Sequence, residues 1–182
     1  MAYDPVDLVS LAADAAFDLH TLDPDRPVEL ALPRTGDGTE PSPDDAVGVV
    51  VLGDEARLRQ VVANLVRNAR VHTPPDTRVH LRVGVDQSGS WGVLEVADEG
   101  PGMPEADAAR VFERFYRADP ARARATGGTG LGLPIVASIA HAHGGHVALD
   151  TAPGEGTRFT LYLPLASPVR PDGPVAHLDG GA

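Results

Sequence analysis

The feature that most constrains this chain lies over residues 54–72. Leu58, Val61, Val62, Leu65, Val66 and Ala69 recur at i, i+3, i+4, i+7, i+8 and i+11. At 3.6 residues per turn that spacing puts all six side chains on one stripe of a helix. Gly53-Asp54 opens the segment with an N-cap residue, and Thr73-Pro74-Pro75-Asp76 closes it. A helix with so continuous an apolar stripe has to bury it against another layer. The rest of the chain must supply that layer.

The flanking segments read as strands and two further helices. Asp4-Pro5 has the form of an N-cap and first helical residue, with Val6, Val9, Ala13, Ala16 and Phe17 giving a helical pattern to about residue 19. Short strands are predicted over 28–32 and 47–52, separated by a Gly/Pro/Asp-rich loop over 34–45. Residues 78–85 and 91–97 predict a hairpin around Gln87-Ser88-Gly89-Ser90. A Gly-rich, charged stretch over 98–130 includes a short helical piece near 105–112. A helix over 131–143 is closed by Gly144-Gly145, and strands over 146–150 and 157–163 flank a Pro-Gly-Glu-Gly turn. Helices and strands mix without the alternation of a doubly wound fold, so a mixed sheet covered on one face by helices fits best. The Pro/Gly-rich end from Ser167 is expected to be disordered.

Composition closes off several chemistries. A length of 182 residues suits one domain. The net charge of −11 argues against a general nucleic-acid or anionic-membrane binder. All 15 basic residues are arginine, so the lysine of a phosphate-binding P-loop is missing and any cationic side chain on a phosphate must be arginine. With no cysteine there is neither a disulfide framework nor a thiolate metal site, which suits a cytoplasmic setting. No apolar run reaches membrane-spanning length, and residues 1–4 do not begin a signal peptide.

Four segments carry candidate chemistry. Arg57, Gln60, Asn64 and Asn68 form a polar strip beside the apolar stripe of the 54–72 helix. Asparagine carbonyl oxygens there suit the wall of a pocket and a hard cation such as Mg²⁺, although a solvated helix face gives the same pattern. Asp98-Glu99-Gly100-Pro101-Gly102-Met103 follows a strand; its carboxylate suits an exocyclic amine such as adenine N6, and its glycines suit close backbone approach to a flat ring. A plain tight turn is the alternative. Gly127-Gly128-Thr129-Gly130-Leu131-Gly132-Leu133 opens the second apolar helix, and glycine-rich backbone at a helix N-terminus is an anion site or a hinge. Its GxGxG spacing is not a dinucleotide fingerprint. Finally, Phe112, Phe115 and Tyr116 lie among Arg114 and Arg117, with Arg122 and Arg124 beyond; the aromatics suit a lid anchor or a partner contact, and the arginines suit phosphate. His141 and His143 diverge on a helix and make a poor metal pair.

Taken together, these segments resemble the motifs of sensor histidine kinases in order and spacing. Residues 54–70 resemble the N box, 98–103 the G1 box, 112–117 the F box and 127–133 the G2 box. Gly154-Glu155-Gly156-Thr157 with Phe159 and Leu161 is similar to the strand entry that closes the domain. The resemblance covers about 4–165. It implies the ATP-binding fold shared with gyrase, heat-shock chaperone and mismatch-repair ATPases: a two-layer α/β (α+β) sandwich with a mixed sheet of about five strands under about three helices. It also implies a flexible ATP lid over about 103–130. Residues 1–165 would be the catalytic domain and 166–182 a tail.

The resemblance further implies roles. Asp98 would bind adenine N6, with Gly100 and Gly102 beside the ring. Asn68 would hold Mg²⁺, and Asn64 would sit near the metal and the transferred phosphate. Gly128, Thr129, Gly130, Leu131 and Gly132 would face the phosphates, and Thr157, Arg114 and Arg117 would complete the nucleotide site. Many relatives carry lysine three residues after the second asparagine, where this chain has Val71; Arg70, Arg114 and Arg117 are the candidates to replace it. The implied reaction is transfer of the γ-phosphoryl group of ATP to a histidine on a dimerising helical module absent from this sequence. The chain would then be a piece, monomeric by itself, of a sensor anchored in the inner or plasma membrane, with a response regulator downstream. A serine/threonine kinase of the same fold and a non-catalytic nucleotide-sensing module are the alternatives.

Overall fold

The computed structural model describes residues 3–33, 48–116 and 130–167. In chain order the elements are β1 (Asp4–Asp7), α1 (Leu8–Leu22), β2 (Val28–Ala31), β3 (Val50–Gly53), α2 (Glu55–His72), β4 (Val79–Val85), β5 (Trp91–Asp98), α3 (Glu105–Ala108), α4 (Gly132–Ala142), β6 (His146–Thr151) and β7 (Thr157–Pro164). Five strands form one mixed sheet in the order β2-β4-β5-β7-β6. Only β2 and β4 run parallel; the other pairs are antiparallel.

The stripe on α2 does what its spacing requires. Leu58, Val61, Val62, Leu65, Val66 and Ala69 are all buried, and Asp54 caps the helix by accepting the Arg57 N–H at 3.1 Å. The layer they meet is the helix-covered sheet face, where Val79, Leu81, Leu94, Val96, Phe159 and Leu161 are buried in the same core. Helices α1 and α4 complete that core with Leu8, Leu11, Leu19, Val136 and Ile139. Along each strand the alternate residues face the other way. There Arg82, Glu95, Arg158 and Asp150 form a chain of ion pairs, and Arg78 and His80 pair with Glu29 and Glu99. The hairpin between β4 and β5 turns about Asp86, whose carboxylate accepts the N–H groups of Ser88, Ser90 and Trp91.

The first segment departs from the sequence pattern. Asp4-Pro5 does not open α1; residues Asp4–Asp7 form a strand antiparallel to β3. Asp7 is the N-cap, accepting the Val9 N–H at 3.0 Å, and α1 continues to Leu22. Either aspartate could cap a helix. Extended backbone at Val6 wins because it buries that side chain and aligns it with Val51 of β3. Leu165 bridges Val51 and the Ala166 N–H bonds Val50 O, so the chain holds regular contacts just past residue 165. The helical piece expected near 105–112 is a single turn, Glu105–Ala108. Among the described residues no helix is long and apolar enough to cross a membrane.

The rotational setting of α2 yields a test. Leu65 is fully buried, whereas Asn64 and Asn68 sit at the edge of the stripe. Leu65→Ala is expected to lower unfolding free energy by about 2–5 kcal/mol. Asn64→Ala and Asn68→Ala should each change it by about 0.5 kcal/mol or less. Urea unfolding followed by circular dichroism measures all three.

Candidate functional site

Two structural units supply the site. The first is the end of β5 and the start of β7. Asp98 is the last residue of β5 and pairs with Thr157, the first of β7. It is only 7% exposed, and its carboxylate accepts the Gly100 N–H at 3.0 Å. The turn after it is pinned to the β6–β7 connection. Thr151 Oγ1 accepts the Met103 N–H at 3.1 Å and donates to Gly156 O at 2.7 Å. Gly102 has φ +62, and a Cβ there would lie 1.9 Å from Ala152 O. Glycine at this position is thus already required by the protein's own backbone, before any ligand approaches.

The second unit is the pair α2 and α4. Asn64 and Asn68 are half-buried on α2, and a Cβ on Gly132 at the start of α4 would lie 3.6 Å from Asn64 Oδ1. The first turn of α4 therefore opens beside Asn64. Its N-cap, Leu131, makes no side-chain capping bond, and its first turn carries no acid. Such a terminus presents free N–H groups and positive dipole character. At its far end α4 is tied to the start of α2. His143 Nδ1 donates to Ile139 O at 2.8 Å, and Nε2 accepts the Asp54 N–H at 3.0 Å. The partners fix that tautomer, because the amide can only donate and the carbonyl can only accept.

Helix α2 joins the two units. Thr73, just past its end, meets the Asp98 turn: a Cβ on Gly100 would lie 2.5 Å from Thr73 Cγ2 and 2.6 Å from Asp98 Oδ1. At 1.5 Å per residue, Asn64 and Thr73 stand roughly 13 Å apart along α2 with Asn68 between them, and we call this polar edge of the helix the trough. One end has a buried acceptor and the other a helix N-terminus.

Other expected residues distribute unevenly. Gly130 has φ +67 and accepts the Phe115 N–H at 3.1 Å, which ties the entrance of α4 to the aromatic segment. Phe112 packs edge-on against Phe159, whereas Phe115 is 70% exposed with φ 64. Tyr116 donates to Asp107 Oδ1 at 2.7 Å, and the Arg110 guanidinium stacks over its ring. Arg114 is exposed. Arg70 is bonded to Asp23, at 2.9 Å. Arg117, Arg122, Arg124, Gly128 and Thr129 lie outside the described residues.

Residues 53–167 match the model of the histidine kinase-, DNA gyrase B-, and HSP90-like ATPase family. The chain belongs to that family. It is 46% identical over 161 residues to the probable sensor histidine kinase TcrY of Mycobacterium tuberculosis, an alignment that covers 88% of this chain and 31% of TcrY. It thus spans about a third of that relative's length. Among solved structures it resembles the mycobacterial sensor histidine kinase MprB, with 29% identity and a TM-score of 0.71 over 92% of this chain and 99% of that one. The ATP binding domain of PrrB from Mycobacterium tuberculosis superposes with 31% identity and a TM-score of 0.65, covering 92% and 100%. The mixed five-stranded sheet and its helices are the fold of these histidine kinase ATPase domains.

Sequence patterns gave no such role to four residues that hold these elements together: Arg26, which donates to Thr73 Oγ1 at 2.9 Å, Thr73 itself, His143 and Thr151. Each acts through a contact distant in sequence, and no local spacing betrays it.

Burial raises the pKa of Asp98 above the ordinary 3.8, while the Gly100 and Thr157 N–H groups and the Arg26 charge pull the other way. A carboxyl raised in the folded state gives its full stability below the unfolded value and loses it as pH rises through the folded value. At neutral pH the ionised Asp98 is thus held at the fold's expense. Asp98→Asn is expected to gain thermal stability relative to wild type at pH 7, with the gain shrinking towards pH 4. Differential scanning calorimetry at the two pH values tests this; a gain that does not shrink contradicts it.

Proposed function

We propose that this domain binds ATP with Mg²⁺ and transfers the γ-phosphoryl group to a histidine on a separate dimerisation module. The observation that carries the reading is the trough itself: a buried carboxylate at one end, two amide side chains along one wall, and an uncapped helix N-terminus at the other. Asp98 accepts from adenine N6, and Gly100 and Gly102 lie beside the ring. The triphosphate runs along α2 towards Leu131, Gly132 and Gly130, with Gly128 and Thr129 as further contacts. Arg114 and Arg117 contact phosphate, and Thr157 supports the base beside Asp98.

The donor set suits Mg²⁺, because Asn68 and Asn64 offer neutral carbonyl oxygens on one helix wall while the phosphates bring the charge. Asn68 would be the protein ligand, and the metal would neutralise charge on the transferred group. The remaining work of the protein is positioning, which phosphoryl transfer needs more than covalent help. The dipole of α4 favours negative charge at the phosphate end. The accepting imidazole and its base come from the other module, which passes the phosphoryl group to a response regulator. We place the reaction in the cytoplasm, with residues 1–165 as the catalytic domain and 166–182 as a tail.

Two measurements test the reading. Guanine presents a carbonyl oxygen where adenine presents an amine, so GTP would set two acceptors face to face, at a penalty of about 1–3 kcal/mol. Calorimetric titration should show ATP binding at least several-fold tighter than GTP; equal affinities exclude the Asp98 role. Asn68→Ala should abolish phosphorylation of an added histidine hairpin from γ-labelled ATP and Mg²⁺, with the fold intact. Acid-labile label on the hairpin supports histidine transfer, whereas acid-stable label on a serine would place the domain with serine kinases of this fold.

A further inference from the structure

Arg26 lies in the connection between α1 and β2, outside every motif, yet it is only 3% exposed. All three of its guanidinium nitrogens are engaged. Nε reaches Asp23 Oδ2 at 3.4 Å, Nη1 donates to Thr73 Oγ1 at 2.9 Å and Thr77 O at 3.0 Å, and Nη2 donates to Arg70 O at 3.4 Å. Thr73 Oγ1 in turn donates to Ala69 O at 2.7 Å. With its hydroxyl held on both sides, the Thr73 side chain has one orientation left, and its methyl abuts Gly100 beside Asp98 Oδ1.

A buried arginine that only closed the end of α2 would have no reason to meet the purine end of the trough. Here the same hydroxyl that receives Arg26 fixes the wall of that end. The charges around Asp98 divide by sheet face. Arg78 and His80 near β4 are paired with Glu29 and Glu99, and Arg158 on β7 is paired with Glu95 and Asp150. Strand alternation puts these on the face opposite Asp98. On the core side, Arg70 and Arg26 both bond Asp23, and Arg26, which also holds Thr73, is the one whose charge acts on Asp98.

We propose that Arg26 is a positioning residue for purine recognition: it sets Thr73 against the Asp98–Gly100 turn and so fixes the acceptor that meets an exocyclic amine. The proposal rests on the reading of the trough as an ATP site. A protonated Asp98 would present an O–H where the amine must donate, so ATP affinity falls as pH drops through the Asp98 titration. Arg26 sets where that fall occurs.

The test is calorimetric binding of ATP and GTP between pH 5 and pH 8 by wild type, Arg26→Gln, Arg26→Lys and Asp98→Asn. Arg26→Gln keeps an amide donor towards Thr73 but removes the charge. It is expected to move the midpoint of the affinity loss upward, by less than a directly contacting charge would. It should also narrow the preference for ATP over GTP. Arg26→Lys should restore most of the wild-type midpoint. If Arg26→Gln does not fold, Thr73→Val removes the hydroxyl and leaves the charge. That variant should bind ATP several-fold more weakly with its midpoint unmoved, and wild-type affinity in it overturns the proposal. A folded Arg26→Gln with a lower melting temperature but an unmoved midpoint and unchanged purine preference also overturns it, because Arg26 would then be structural only. Failure of wild type to bind ATP at any pH defeats the underlying reading of the site, an outcome distinct from both.

Discussion

The structure depends on the way α2 is rolled against the sheet. Six buried side chains fix its azimuth. Once they are seated, residues one position round the helix have no freedom to choose their surroundings. Asn64 and Asn68 emerge at the border between core and solvent because Leu65 and Ala69 lie inside. A rotation of a single residue, about 100°, would bury the amides or expose them wholly. The trough is therefore a by-product of core packing, and the same hydrophobic contacts that stabilise the fold hold the polar wall in place.

The second constraint is register in the sheet. Asp98 stands opposite Val79 on one side and Thr157 on the other. All three side chains fall on the helix-covered face. A slip of one residue in the pairing of β5 with its neighbours would send Asp98 to the opposite face, among Arg82 and Arg158. Register there is secured by the alternation of Val96, Leu94, Phe159 and Leu161 into the core. His143 then closes the arrangement from the far side. By bonding both Ile139 O and the Asp54 N–H, it locks the end of α4 to the start of α2 and so sets the distance between the walls of the trough.

Much of this was legible in the sequence, and the boundary between what was and was not has a physical cause. The helix over 54–72, the hairpin and the last two strands follow from periodicity, since each is set by which face it buries. The polar strip and the Asp98 turn were visible as residue types at fixed offsets. The start of α1 was misplaced because Asp4 and Asp7 are equal as caps, and only the pairing with β3, more than 40 residues away, decides between them. Arg26 and His143 were invisible for a related reason. Arginine beside a proline in a polar loop looks solvated, and histidine next to Gly144-Gly145 looks like a helix end. Their partners lie 47 and 89 residues away in sequence.

The absence of lysine gives the charge distribution of the site its particular form. With arginine as the sole cationic side chain that is charged at any ordinary pH, every permanently cationic partner for a phosphate or carboxylate must come from 15 residues. Many of the described ones are committed: Arg59 to Asp14 and Glu55, Arg70 to Asp23, Arg78, Arg82 and Arg158 to the open sheet face, and Arg110 to Glu113. Arg26 is buried. At the start of α4 positive character comes from backbone, because Leu131 makes no side-chain cap and the first turn carries no acid. That division suits arginine's chemistry. A planar guanidinium is best used where several fixed acceptors surround it, as Thr73, Thr77 and Arg70 carbonyl and hydroxyl oxygens surround Arg26. Helix N–H groups instead accommodate an anion without a side chain having to reorganise.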